Sequence, residues 1–102
     1  MARMPFEIEL TEEALRDFRS LDAHLRASVR KALEAHLRLK PTTVSKSRIK
    51  RLRDLRHPQF RLRVDDIRVY YDVEHSTVTI LGIVSKSNSE DWLADNSTPS
   101  ND

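Results

Sequence analysis

The clearest pattern in the chain is an alternation of apolar and polar side chains between residues 60 and 71. Asp65 and Asp66 interrupt the pattern and suit a two-residue connection between antiparallel strands. Because side chains alternate between the two faces of a strand, this connection predicts an apolar face made of three cross-strand pairs. The pairs are Val64 with Ile67, Leu62 with Val69 and Phe60 with Tyr71.

The other face of this hairpin is rich in arginine. The same register places Arg63 opposite Arg68 and Arg61 opposite Tyr70. Like charges directly opposed across strands are destabilising, whereas a favourable pair contributes roughly 0.2–1 kcal/mol. An anionic ligand is our preferred explanation. The alternative is an ordinary solvated sheet face, whose long charged side chains also protect exposed strands from aggregation.

The N-terminal part predicts a strand followed by two helices. Residues 6–10 alternate as a strand does, and Thr11 and Asp22 are suited to cap the helices that follow them. The second helix is expected to end at Lys40, because the residue before a proline resists the helical conformation. Such a short connection predicts an antiparallel helical hairpin packed on a sheet.

The C-terminal part predicts further strands and a closing helix. Residues 49–55 are read as containing a short strand, and residues 78–84, apolar on both faces, as a central buried strand. Gly82 is expected opposite Val69, where it permits close packing of a helix.

A capping box predicts where the closing helix begins. Ser87 and Glu90 have the required spacing, and Trp92 is expected to anchor the helix over the end of the core. Residues 94–102 are polar and expected to be disordered. The sequence therefore predicts one α+β domain over residues 1–93, with an N-terminal strand, a helical hairpin, a curved antiparallel sheet and a short C-terminal helix.

Composition excludes several classes of protein. Charged residues make up 33% of the 102 residues and hydrophobic residues 38%, as expected for one charge-dense domain. The absence of cysteine excludes disulfides and thiolate metal sites, and neither the histidine spacing nor the single glycine suits a metal or phosphate-loop site. We expect a cytoplasmic protein with no metal, no small-molecule cofactor and no membrane segment.

The charge is unevenly distributed. Residues 41–68 contain nine Lys or Arg against three acidic residues, whereas residues 69–102 contain Lys86 as their one base against six acids. A basic middle segment is typical of proteins that bind a polyanion or an acidic protein partner.

Clustered cations and aromatic rings suit RNA cleavage through the ribose 2′-hydroxyl. Cations stabilise the charge that grows on the scissile phosphate, and a base and an acid move the protons. Aromatic rings can stack unpaired bases. Binding RNA without cutting it requires the same cations, so both readings stay open at this point.

The segment F-R-L-R-V-x-D-x-R-V-x-Y-x-V, followed by an apolar strand and K-x-x-x-x-x-W-L, resembles the RelE/ParE toxin superfamily of bacterial type II toxin–antitoxin systems. The resemblance covers about residues 6–93. It implies a small α+β toxin neutralised by a cognate antitoxin. RelE-like members cut mRNA on the ribosome, and ParE-like members inhibit DNA gyrase. We expect the RelE-like activity, a ribosome-dependent mRNA endonuclease; the alternatives are a gyrase inhibitor and a non-catalytic RNA- or protein-binding module.

The basic segment, the aromatic residues and the resemblance together predict the site, and the resemblance itself matches Arg61, Arg63, Arg68 and Lys86. Arg61, Arg68 and Lys86 are expected to be catalytic, and RNA-binding roles are expected for Arg63, Lys50, Arg53, Tyr70 and Trp92. Two positions depart from the family. Ser87 stands where many RelE-like nucleases carry arginine, and Trp92 aligns approximately with the family's C-terminal tyrosine that is implicated in proton transfer. Because indole is no acid or base at neutral pH, proton transfer is assigned first to Lys86 and second to His57.

Overall fold

The fold places two helices on one face of a five-stranded sheet and a third helix on the other. The structure is a computed structural model that describes residues 4–100. Strand β1 (Glu7–Leu10) precedes α1 (Glu12–Ser20) and α2 (Ala23–Ala32), which continues as a π-helical turn (Leu33–Leu37). The predicted α+β class with a helical hairpin is confirmed. Counted with its π-helical turn, the second helix ends at Leu37, three residues before the predicted end at Lys40.

Both predicted helix caps form. The hydroxyl oxygen of Thr11 accepts a hydrogen bond from the Ala14 amide at 3.1 Å, and the carboxylate of Asp22 accepts one from Leu25 at 2.8 Å. Each bond satisfies an amide that has no partner within its helix. Two N-caps so close in sequence therefore fix the turn between α1 and α2.

The main sheet has the strand order β1-β6-β5-β4-β2. It is formed by β2 (Ile49–Arg51), β4 (Phe60–Val64), β5 (Ile67–Glu74), β6 (Thr77–Ser85) and β1. All neighbours are antiparallel except β1, which pairs parallel to β6 at one edge. Strands β3 (Leu55–His57) and β7 (Thr98–Pro99) form a separate two-stranded sheet.

The register predicted for the β4–β5 hairpin is confirmed at every pair. The register partners are Phe60 with Tyr71, Arg61 with Tyr70, Leu62 with Val69, Arg63 with Arg68, and Val64 with Ile67. Asp65 takes a φ of 52° in the two-residue turn, a left-handed conformation that aspartate adopts more readily than most residues. The arginines therefore share one face of the sheet.

The core lies between the helical hairpin and the apolar face of the sheet. Leu62, Val69 and Tyr71 are completely buried there against Val29 and Leu37 of the helical layer. Such burial stabilises the fold by roughly 1.5–3 kcal/mol for each large apolar side chain. Within residues 4–100, no helix is long and apolar enough to span a membrane.

A β-bulge corrects the predicted position of Gly82. The β5–β6 pairing begins at Glu74 and Thr77, but its register shifts by one between Tyr70 and Tyr71, so Gly82 pairs with Tyr70 and not with Val69. One extra residue in one strand moves each later side chain to the opposite face. The bulge thus lets β6 bury both Ile80 and Ile83 in the core.

The C-terminal segment differs from the prediction in its cap and its length. Lys86–Asn88 form a 3₁₀ turn and α3 spans Ser89–Asn96, so the expected capping box at Ser87 is wrong. The Ser87 hydroxyl lies 3.1 Å from that of Ser85, and the N-cap residue Asn88 makes no capping bond through its side chain.

The segment expected as a disordered tail is structured over most of its length. Helix α3 extends past residue 94 to Asn96, and Thr98–Pro99 pair with β3 as strand β7. Residues 101 and 102 lie outside the described residues. The strand expected within residues 49–55 is divided, because β2 ends at Arg51 and β3 begins at Leu55 in the other sheet.

Candidate nucleic-acid interface

Two rows of polar side chains cross β2, β4 and β5 on the sheet face opposite the core. The first row consists of Arg48, Arg63 and Arg68, and the second of Lys50, Arg61 and Tyr70. Residues two apart along a strand are separated by about 7 Å, so the rows lie about that far apart. We call the five cations Arg48, Lys50, Arg61, Arg63 and Arg68 the basic strip.

Arg68 forms the buried floor of the basic strip. Only 7% of the residue is exposed, and its guanidinium donates hydrogen bonds to the carbonyls of Asp65 at 2.8 Å and Ile67 at 3.1 Å. Burial lowers the pKa of Arg68, and the positive charges of Arg61 and Arg63 lower it further. An arginine nevertheless stays protonated in proteins, so Arg68 contributes a fixed positive charge.

Within the described part of the chain, no carboxylate contacts the basic strip directly. Among residues 4–100, none of its five cations forms an ion pair within 4 Å. Arg48, Lys50 and Arg63 are exposed, and Arg61 is half-buried with its Nε atom buried and without a hydrogen-bond partner. The strip thus combines repulsion between its members with exposed donors, as expected of a surface that binds an anion.

The repulsion predicts that Arg63→Gln makes the protein more stable. Removing one of two opposed arginines should raise the free energy of unfolding by about 0.2–1 kcal/mol. At roughly 4–8 °C per kcal/mol for a domain of this size, thermal denaturation should show a rise of a few degrees in Tm.

The rise in Tm caused by Arg63→Gln should be smaller at high salt, since salt screens exposed charges. Arg16→Gln on α1 is the matched control, because it removes an exposed arginine outside the strip. A lower Tm for Arg63→Gln at low salt would show that the cross-strand arginines do not repel each other significantly.

Tyr70 and Trp92 occupy the sheet face beside the basic strip. Their rings stack with centroids 4.8 Å apart and planes at 5°, and the residues are 1% and 8% exposed. Trp92 also lies directly over Gly82, where a Cβ atom would come within 2.4 Å of the indole ring. The stack anchors α3 on the sheet, as expected for Trp92, and leaves neither ring free to stack an RNA base.

Lys86 and Arg53 lie outside the two rows. Lys86 follows β6 directly, its amide donates to the Asp66 carbonyl at 2.7 Å, and its exposed side chain makes no polar contact within residues 4–100. Arg53 is exposed in the turn between β2 and β3. The structure therefore groups five of the predicted site residues, with Lys86 one row beyond Arg68; the five are Lys50, Arg61, Arg63, Arg68 and Tyr70.

The sequence indicates His57 only as the second candidate for proton transfer, after Lys86, and it does not reveal that Asp72 is the partner of His57. Nδ1 of His57 lies 2.6 Å from Oδ2 of Asp72, and Oδ1 of Asp72 accepts the Gln59 amide at 2.8 Å. The Asp72 side chain is 17% exposed and that of His57 47%. Asp72 lies two residues after Tyr70 on β5, and this spacing is the signal in the sequence that places both side chains on the same face of the sheet.

An apolar groove lies on the opposite side of the molecule. It has a volume of about 290 Å³ and lies between β1 and the helical hairpin. Its lining residues are Ile8, Leu10, Leu15, Phe18, Arg30, Leu33, Glu34 and Arg38. An apolar floor with charged residues among its lining suits an amphipathic segment of a partner protein.

Comparison with known proteins identifies one protein family. A family model described as the ParE toxin of the type II toxin–antitoxin system, parDE, matches residues 8–90, which include both rows of the basic strip. No curated protein sequence matches the chain significantly.

Several solved structures share the fold. The toxin–antitoxin complex RelBE2 from Mycobacterium tuberculosis matches with 27% identity and a TM-score of 0.67, over 82% of this chain and 94% of that one. The RelB–RelE antitoxin–toxin complex from Methanococcus jannaschii matches with 17% identity and a TM-score of 0.63, over 82% and 96%. A double mutant of Escherichia coli toxin RelE in the free state matches with 20% identity and a TM-score of 0.57, over 87% and 92%.

Proposed function

We propose that this chain, which belongs to the ParE toxin family of type II toxin–antitoxin systems within the RelE/ParE superfamily, is an endoribonuclease that cuts mRNA on the ribosome. The observation that carries the proposal is the basic strip, in which five cations share one face with no direct carboxylate partner in residues 4–100. Exposed guanidinium and ammonium groups spaced in rows fit a phosphate backbone.

The basic strip can supply the electrostatic part of RNA cleavage. When the 2′-oxygen attacks the phosphorus, negative charge grows on the phosphoryl oxygens. Arg61 and Arg63 project into the region where that phosphate would lie, while Arg68 adds a fixed charge beneath them. The strand pairing fixes the backbone positions of Arg61 and Arg63, and two hydrogen bonds fix the Arg68 guanidinium before RNA binds, which reduces the reorganisation needed during the reaction.

The partner that neutralises the toxin is proposed to be a cognate antitoxin. Two of the structures that share this fold are toxin–antitoxin complexes, and the groove beside the helical hairpin offers an apolar surface to a partner helix. Leu15 lines this groove and is 36% exposed. Acidic residues of such a partner would also be attracted to the basic strip on the other side.

The matching family model favours a second candidate, because its description names ParE, and gyrase inhibition is the activity expected of ParE-like toxins. A gyrase inhibitor needs a surface for a protein target and no group for proton transfer. The unpaired cations favour RNA over this alternative, since they face one area at the spacing of strand rows.

One experiment with purified protein separates the two activities. The toxin is incubated with mRNA-programmed ribosomes and, in parallel, with DNA gyrase and relaxed plasmid. The proposal expects cuts in ribosome-bound mRNA with 5′-hydroxyl ends, and normal supercoiling by gyrase. Intact mRNA together with inhibited supercoiling would overturn the proposal and establish the ParE-like activity.

A further inference from the structure

We infer that His57 is the general base of the proposed cleavage reaction and that Asp72 positions it. The inference rests on the proposed endoribonuclease function and assigns the proton transfer within it. It starts from the hydrogen bond of 2.6 Å between Nδ1 of His57 and Oδ2 of Asp72.

Asp72 holds the imidazole in one orientation and one tautomer. An ionised carboxylate only accepts hydrogen bonds, so its bond to His57 requires a proton on Nδ1, and in the neutral imidazole Nε2 is then the acceptor. The carboxylate is itself fixed, because its other oxygen accepts the backbone amide of Gln59 at 2.8 Å. The Gln59 side chain in turn accepts the Val73 amide at 2.9 Å and holds β5 at this point.

The position of the pair fits the basic strip. Asp72 follows Tyr70 by two residues on β5, which places it about 7 Å from the row that contains Arg61. In the proposed complex, Arg61 contacts the scissile phosphate and His57, bonded to Asp72 beside that row, faces the adjoining ribose. With nearly half of its side chain exposed, His57 is open to a substrate, whereas the carboxylate behind it is largely buried.

Lys86 is less suited to this task than the sequence indicated. It lies level with Asp66, three rows from Asp72, a separation of about 20 Å along the sheet. The two groups therefore cannot act together on one phosphate. No polar contact within residues 4–100 fixes the Lys86 side chain, whereas two hydrogen bonds fix the orientation of the His57–Asp72 pair.

The proposed step moves one proton and exchanges one P–O bond for another. Nε2 of His57 takes the proton of the 2′-hydroxyl while the 2′-oxygen bonds to phosphorus and the bond from phosphorus to the 5′-oxygen breaks. The departing 5′-oxygen takes a proton from water, and Arg61 neutralises the charge that develops on the phosphoryl oxygens. The products are a 2′,3′-cyclic phosphate and a 5′-hydroxyl end, and imidazolium returns its proton to water.

The test measures cleavage of ribosome-bound mRNA by the full-length toxin and its variants. His57→Ala should lower kcat by about 10²-fold or more, the range of general acid–base catalysis, and added imidazole should restore part of the rate. Asp72→Asn should also lower kcat, because an amide favours the opposite tautomer of His57, and imidazole should not restore it. Both variants should bind an uncleavable 2′-deoxy substrate within about twofold of wild type.

Two further variants keep the result interpretable. His57→Asn keeps a side-chain N–H group that can donate to Asp72 but removes the general base. It therefore replaces His57→Ala in the test if His57→Ala fails to fold. His75→Ala should cleave at the wild-type rate, because His75 lies in the exposed turn after β5 with its side chain 89% exposed. Wild-type cleavage by a folded His57→Ala or His57→Asn variant would overturn this inference alone. Failure of the wild-type toxin to cut any RNA would overturn the proposed function and this inference with it.

Discussion

Gly82→Ala is expected to destabilise the protein by about 1–3 kcal/mol, the usual cost of adding a methyl group to a fully packed site. The new Cβ would lie 2.4 Å from Cζ2 and 2.7 Å from Nε1 of Trp92. The ring cannot easily move away, because its other contact is the stack on Tyr70 with centroids 4.8 Å apart. Thermal denaturation should show a fall in Tm of roughly 4–8 °C for each kcal/mol.

The same substitution in a protein without the Trp92 ring tests whether the clash causes this loss of stability. In a Trp92→Ala protein the clash is absent, so adding Gly82→Ala should be neutral or stabilising, since alanine suits a strand better than glycine. The sign of the Gly82→Ala effect should therefore reverse between the two backgrounds. A Tm at or above the wild-type value for Gly82→Ala in the presence of Trp92 would contradict the close contact between α3 and β6.

Replacing the three exposed cations of the basic strip, Arg48, Lys50 and Arg63, by glutamine is expected to abolish RNA binding at physiological salt. Each lost phosphate contact on a single strand reduces the salt slope of log K by about 0.7, so the slope should flatten by about 2 units. The fold should remain intact and become slightly more stable, because the substitutions remove mutual repulsion. Fluorescence anisotropy at several salt concentrations measures the slope.

The matched control carries the same charge change on the helical hairpin. Arg16→Gln, Arg19→Gln and Lys31→Gln remove three exposed cations from α1 and α2, which lie on the other side of the sheet. This control protein should keep the wild-type affinity and salt slope. Equal weakening by both triple variants would mean that RNA responds to the total charge and not to the basic strip.

The sequence predicted what depends on local chemistry. Two capping residues, Thr11 and Asp22, were recognised because capping depends on one side chain and a nearby amide. The hairpin register followed from the two-residue turn at Asp65 and Asp66 and from strict alternation on both sides. The face that carries the arginines was therefore predictable without any tertiary information.

The parts that the sequence did not reveal depend on contacts between distant segments. Gly82 beside the bulge is a local signal, but an isolated glycine in a strand is equally consistent with close packing of a helix. The bulge is favoured because it directs Ile80 and Ile83 into the core, which depends on contacts with distant segments. The pairing of His57 with Asp72 joins residues fifteen apart on different strands. Nothing local distinguishes a histidine held by a carboxylate from a free surface histidine.

The closing segment shows the limit of motif matching. Ser87 and Glu90 have the spacing of a capping box, but the chain forms a 3₁₀ turn first and α3 begins at Ser89. The stack of Trp92 on Tyr70 over Gly82 determines where the helix lies on the sheet. Packing on the sheet therefore overrides the local start signal.

The most direct test of the account is to map RNA ends in bacterial cells after brief expression of the toxin. Wild-type toxin and an Arg61→Ala variant are expressed to equal levels, and 5′-hydroxyl ends of mRNA are sequenced together with ribosome positions. If the basic strip acts on RNA, the wild-type toxin produces new ends within ribosome-covered codons, and Arg61→Ala loses these ends and restores growth. Growth arrest by both proteins without new RNA ends would contradict the claim that the basic strip acts on RNA.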